Sequence, residues 1–291
     1  MGRHNYYFLI AGLPDLSIDQ GKLQFGSSEF REYLKSQLFK KDYYCIEWFF
    51  LPYDNSNLLQ ILNKSEGDLN SSAIYSREQL ELAIAEVATP DKLFSDEQSN
   101  VHAYIKKFLG IYFSQEEQMS ATKADYELTS LYLREALNAD NQFFRKWMEF
   151  EINLKNVLIF NTAQNFNLPM DDHFIGDTPM VNSLRKRIGR DLGEAAEWEY
   201  FDRINQLNDI TDISVREKAI DQLRWTVLDE MNTFNYFSIE IVISYMVKIQ
   251  IIERWLKLDP KTGEELFRRL LGDLQSSYEF PNEFSISDGK K

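Results

Sequence analysis

The sequence predicts an all-α protein, an elongated or funnel-like array of about three related helical bundles with a short extended segment at its N-terminus. Three observations carry this reading. The chain of 291 residues is 44% apolar and 14% aromatic, enough to fold around a sizeable core. It holds only 12 Gly and 7 Pro, too few for the closely spaced turns of a β-sandwich or barrel. One pattern also returns along the chain. Asn57-Leu58 is followed by Ile61-Leu62, Asn153-Leu154 by Val157-Leu158, and a degenerate echo pairs Val242-Ile243 with Met246-Val247. The blocks start at 57, 153 and 242, steps of 96 and 89 residues, each close to a third of the chain.

Taken in order, residues 6–11 (Tyr6-Tyr7-Phe8-Leu9-Ile10-Ala11) read as a short buried strand or extended anchor, closed by Gly12-Leu13-Pro14-Asp15. Ser27 and Ser28 suit a helix start, with Phe30, Tyr33, Leu34 and Leu38 on one face as far as Lys40. A second helix from about Asp42 carries Tyr44, Trp48, Leu51 and Leu58, and Pro52 interrupts or kinks it. Residues 63–75 form a polar loop. Ser76 with Gln79 resembles a capping box for a helix to Ala88, which Thr89-Pro90 stops.

A helix around residues 101–113 and another over 121–138 follow. The longest helix starts near Asp140, where Phe143, Trp147, Phe150, Leu154, Val157 and Leu158 keep a near-heptad rhythm. Residues 165–180 are irregular. Helices resume at 195–208 and 215–233. The stretch 237–251 has apolar residues at every second position, which is strand periodicity, but it is too long for one strand and its counterpart at 147–158 is helical. It is read as a buried helix. A last helix is expected over 263–274, before a polar tail. The corresponding units are 1–119, 120–190 and 191–291, within one continuous structural protein.

Net charge is −14, a field that repels a phosphate backbone and argues against nucleic-acid binding. No stretch reaches the roughly 20 uncharged apolar residues of a membrane helix, and the opening does not read as a signal peptide. Cys45, alone and set among Tyr43, Tyr44 and Trp48, reads as a buried inert thiol.

Chemistry is hard to place. The phosphate loop, the dinucleotide-binding glycine turn and the Gly-x-Ser-x-Gly elbow are all missing, so no catalytic residue and no cofactor is expected. Asp171-Asp172-His173 is the best local metal-ligand run, but a polar loop that caps a nearby helix explains it better, and no metal is expected. Glu116-Glu117 and Glu264-Glu265 are adjacent carboxylates that point apart on a helix and read as solvated charge. The basic run Arg185, Lys186, Arg187 and Arg190 is the candidate interaction patch, for an acidic protein surface or lipid headgroups, although the solvated face of an ordinary helix explains it more simply. Asn57, Leu58, Leu62, Asn153, Leu154 and Leu158 are candidates for the repeat core, where the two Asn satisfy backbone groups or fix register.

The blocks Asp54-Asn55-Ser56-Asn57-Leu58 and Glu151-Ile152-Asn153-Leu154 resemble the repeated element of the C protein of the V/A-type ATPase central stalk, called the d protein in eukaryotes. There an acidic residue precedes Asn-Leu on a helix, and the unit recurs in three helical bundles. The opening, Tyr6-Tyr7-Phe8-Leu9-Ile10-Ala11-Gly12-Leu13-Pro14-Asp15-Leu16, resembles more specifically a bacterial family of unknown function encoded among V/A-type ATPase genes. The resemblance implies a non-catalytic adaptor on the cytoplasmic face of the membrane. Its socket would hold the D- and F-like shaft subunits, and its base would rest on the proteolipid ring. Two other classes stay open: a free-standing helical interaction scaffold, and an enzyme or small-molecule binder with a pocket of scattered polar residues.

Overall fold

The computed structural model describes residues 4–88, 99–115, 117, 119–166, 174–186 and 192–258. They are all-α. Along the chain run α1 (Tyr7–Ala11), α2 (Ser27–Gln37), α3 (Lys40–Glu47), α4 (Leu51–Leu62), α5 (Arg77–Ala88), α6 (Ala103–Ser114), α7 (Ala121–Ala136) and α8 (Gln142–Phe166). Then follow α9 (Pro179–Lys186), α10 (Glu194–Glu197), α11 (Phe201–Asn208), α12 (Ile213–Met231) and α13 (Ile239–Leu258). The last helix expected from sequence, 263–274, lies outside the described residues.

Helices that open on a good cap begin where the sequence places them. Ser76 and Gln79 exchange the two bonds of a capping box, Gln79 N to Ser76 Oγ at 3.3 Å and Ser76 N to Gln79 Oε1 at 2.9 Å. Pro52 falls in the first turn of α4, where its missing N–H costs nothing, so it starts a helix instead of kinking one. The chain breaks earlier, at Trp48–Phe50, because both of those rings are driven into the core.

The extended N-terminal segment is corrected: residues 7–11 are helical. A strand would bury Tyr6, Phe8 and Ile10 together. Instead Tyr6 and Leu9 are buried and Phe8 is 97% exposed, the spacing of one helical turn. The expected helix 195–208 is likewise split. Trp198 takes an extended ψ of 123° at the end of α10, and Trp198 and Tyr200 turn onto Phe150.

The stretch 237–251 is helical as expected, and α13 buries Ile239, Val242, Ile243, Met246, Ile249 and Ile252. It packs on α2, α3, α8 and α12, so the end of the described chain closes back on its beginning. Glu253 makes the closure specific. Its carboxylate accepts from Ser27 N at 2.7 Å and Ser27 Oγ at 2.6 Å, satisfying a free donor at the start of α2. One continuous apolar core runs from Tyr6 to Ile251. No helix among the described residues is long and apolar enough to cross a membrane.

Candidate functional site

The helices that carry the repeated blocks converge on a cleft of about 660 Å³. Helix α4 contributes Pro52, Asn55, Ser56 and Leu59; α8 contributes Trp147, Met148, Glu151 and Lys155; α13 contributes Val247, Gln250, Ile251 and Arg254. The remaining wall comes from α7, α12 and Phe49, which lies just before α4. The helices of the first two blocks present matching positions: Pro52 and Met148, Asn55 and Glu151, Leu59 and Lys155 are each 96 residues apart. All lie one or two helical turns from each other, so a single face of each helix is shown to the cleft. The third stretch, 247–254, repeats the first's spacing, but starts beyond the Val242-Ile243 echo, whose own side chains are fully buried.

Four of the charged side chains that line the cleft, Glu151, Asp221, Arg224 and Arg254, belong to one network. Arg224 of α12 grips Glu151 of α8 through two bonds, Nε to Oε1 at 2.7 Å and Nη2 to Oε2 at 3.0 Å. Its third nitrogen reaches Asp221 Oδ1 at 3.0 Å. Asp221, 1% exposed, also accepts from Trp255 Nε1 at 2.7 Å and from Arg254, which bonds Glu217 as well. Burial works against the Arg224 charge, but Glu151 and Asp221 outweigh it and raise the Arg224 pKa above its usual range. A bidentate guanidinium–carboxylate pair has a fixed shape, so this wall is stiff. Deeper in, Asn55 Oδ1 accepts from the buried Tyr104 hydroxyl at 2.8 Å. Among the described residues no group of His, Cys, Asp or Glu could hold a metal ion. The cleft offers a partly apolar surface with fixed charges, which suits binding a shaped partner.

The profile of a family described as "Protein of unknown function (DUF2764)" matches residues 3–278. The chain belongs to that family. No curated protein and no solved structure gives a match.

In this DUF2764 chain the residues singled out from sequence fall into distinct places. Asn57 clips the following loop by two bonds, Nδ2 to Asn70 O at 3.1 Å and Asn70 N to Oδ1 at 2.7 Å. Asn153 instead accepts from Thr178 Oγ1 at 2.7 Å, and Thr178 in turn accepts from Val181 N at 3.2 Å at the start of α9. Leu58 and Leu154 are fully buried, whereas Leu62 and Leu158 are only half-buried beside the core. In the basic run, Arg185 is committed to its own chain, donating to Phe174 O and Gly176 O at 2.9 Å each and pairing with Asp177 at 2.9 Å. Lys186 is exposed, and Arg187 and Arg190 lie outside the described residues. So do Asp171, Asp172, His173, Glu116, Glu264 and Glu265. Cys45 is buried, and burial pushes its thiol up to about 12.

Sequence reasoning missed Asn156 and Asp54. Asn156, fully buried, pairs with both backbone groups of Ile175, at 2.8 Å each, the same clip that Asn57 makes on Asn70. Asp54, also fully buried, accepts from Ile74 N at 3.0 Å and Tyr75 N at 2.8 Å. The available signal was a polar residue on an otherwise apolar face just before an irregular, polar stretch.

Proposed function

We propose that this protein is a non-catalytic central-stalk adaptor of a V/A-type rotary ATPase. It stands on the cytoplasmic side of the membrane, peripheral to it, between the central shaft and the proteolipid ring. There it couples ATP turnover to the transport of protons or sodium ions. The observation that supports this reading most is the convergence on one cleft of the helices that carry the repeated blocks. The α4 and α8 helices, whose blocks resemble the central-stalk C protein, show it matching turn positions beside those blocks, and α13 supplies a third side. A socket walled by related units suits the end of a shaft made of D- and F-like subunits.

Torque transmission asks for a grip that does not yield, and rigidity is what the cleft wall supplies. The pairing of Arg224 with Glu151 and Asp221 ties α8 to α12, and Arg254 with Asp221 ties α12 to α13. Such a part needs no cofactor and performs no chemistry.

The test is an affinity pulldown of the tagged protein from gently solubilised membranes of its own host, read by mass spectrometry. Shaft and proteolipid subunits recovered in amounts comparable to the bait are the expected result. Recovery of the bait alone, while the ATPase migrates intact elsewhere in the gradient, would overturn the reading.

A further inference from the structure

Helix α8 shows a second face to a cavity. Lys146, Glu149, Phe150 and Asn153 lie on the side opposite Met148, Glu151 and Lys155 and line a separate cavity of about 620 Å³. Its walls come from α9, from the turn between α10 and α11, and from α12. Three rings form one side. Phe150 meets Tyr200 edge-on at 5.4 Å, Tyr200 meets Trp198 edge-on at 5.5 Å, and Trp198 tilts against Phe150 at 6.0 Å. Phe150 is buried and anchors the group, while Trp198 and Tyr200 remain half-exposed. Tyr200 is further held by its hydroxyl, which donates to Glu230 at 2.9 Å.

Among the described residues that line the cavity, three exposed carboxylates, Glu149, Glu197 and Glu199, stand against a single cation, Lys146. Elsewhere the chain supplies its own cations to indole faces: Lys248 stands 4.6 Å from the Trp225 ring, and Lys218 and Arg254 stand 5.0 and 5.4 Å from Trp255. Among the described residues none does so for Phe150, Trp198 or Tyr200. Aromatic faces attract cations through the ring quadrupole, and an indole suits a planar guanidinium best. Carboxylates at the rim add attraction and favour rapid capture.

We infer that this cavity is a binding site for a guanidinium on an aliphatic stem, the chemistry of an arginine side chain, which stacks on the face of Trp198, with Tyr200 edge-on beside it, and pairs with Glu197 and Glu199. The aliphatic stem would rest on the apolar floor formed by Met180, Val227 and Met231. The site is distinct from the central cleft and stands whether or not the shaft reading does.

The experiment is a titration of the full-length protein followed by the indole N–H resonances, with Trp198 assigned through Trp198→Phe. The ligands are Nα-acetylarginine methylamide, its neutral citrulline isostere, and a short Gly-Arg-Gly peptide. The arginine derivative is expected to shift the Trp198 resonance, and citrulline to bind on the order of tenfold more weakly because it lacks the cation. Glu197→Gln with Glu199→Gln, both at exposed positions, is expected to weaken the arginine derivative severalfold while the other indole resonances keep their parent shifts. Tighter binding of the peptide assigns the site to a polypeptide partner, and equal binding to a free guanidinium compound; both support it. Equal shifts with citrulline, no shift up to roughly 100 mM ligand, or unchanged affinity in the double Gln variant would each overturn the proposal.

Discussion

Glu151 and Arg224 stand 73 residues apart in the chain and meet in a two-bond pair at the wall of the cleft, at 2.7 and 3.0 Å. Their side chains are 15% and 18% exposed, so the pair is mostly shielded from water. Exposed ion pairs contribute about 0–1 kcal/mol, but removing one partner of a shielded pair strands the other at a cost of about 3 kcal/mol or more. Arg224→Ala is therefore expected to lower unfolding stability by about 3 kcal/mol, since it leaves Asp221 short of a partner as well. In a double-mutant cycle with Glu151→Gln, read by urea unfolding, the coupling should reach about 1–3 kcal/mol. A coupling near zero would mean that the wall is held by packing alone.

The two asparagine clips predict local opening. Asn57→Ala and Asn156→Ala each remove a pair of bonds to loop backbone. Ile175 is buried and would be left unsatisfied, a loss of about 1–3 kcal/mol, whereas Asn70 is exposed and water can replace the lost bonds, a loss of about 1 kcal/mol or less. Asn156 should cost more, because it also donates to Ile152 O at 2.7 Å within its own helix. Hydrogen exchange is the direct readout. The Asn70 amide should speed up in the first variant and the Ile175 amide in the second, while the Leu34 amide in α2 stays protected. Uniform acceleration across the chain would show that the clips do not act locally.

Asp54 predicts a pH dependence. Burial pushes its carboxyl from the usual 3.8 up to about 6, against the opposing pull of the Tyr75 and Ile74 amides. The folded protein then keeps this proton to higher pH than the unfolded chain does. Its contribution is present in full below pH 3.8 and is lost as pH rises through about 6. Asp54→Asn never ionises. The urea midpoint of the variant, taken relative to the parent, should rise as pH goes from 4 to 7, and a constant offset over that range would refute the assignment.

How much of this was legible beforehand differs from element to element. Helix existence was readable where apolar spacing and caps agreed, as at Ser76 with Gln79 and along α8. The stretch 237–251 shows that length can outrank a two-residue alternation when a segment is buried nearly all round. The opening shows the reverse error. Six apolar residues are too few to separate strand from helix, and the docking of Tyr6 on Phe237, by a 2.6 Å backbone bond, sits 231 positions away in the chain. The break at Trp198 was unreadable for the same reason, since its cause is Phe150 on another helix.

By itself the sequence determined the helical class, the order of the main helices, the repeat of 96 residues between the first two blocks, and a buried Cys45. These depend on local propensity, on periodicity and on the removal of apolar surface from water, all written within a few turns of chain. Only the tertiary structure decided that Glu253 caps α2, that Arg224 finds Glu151, that Arg185 is spent on its own loop, and that α8 faces two separate cavities. Those pairings join residues far apart in sequence. A charged or polar side chain does not carry its partner's position in its own identity. The partner is chosen when apolar packing brings the helices together and every buried polar group must then be satisfied.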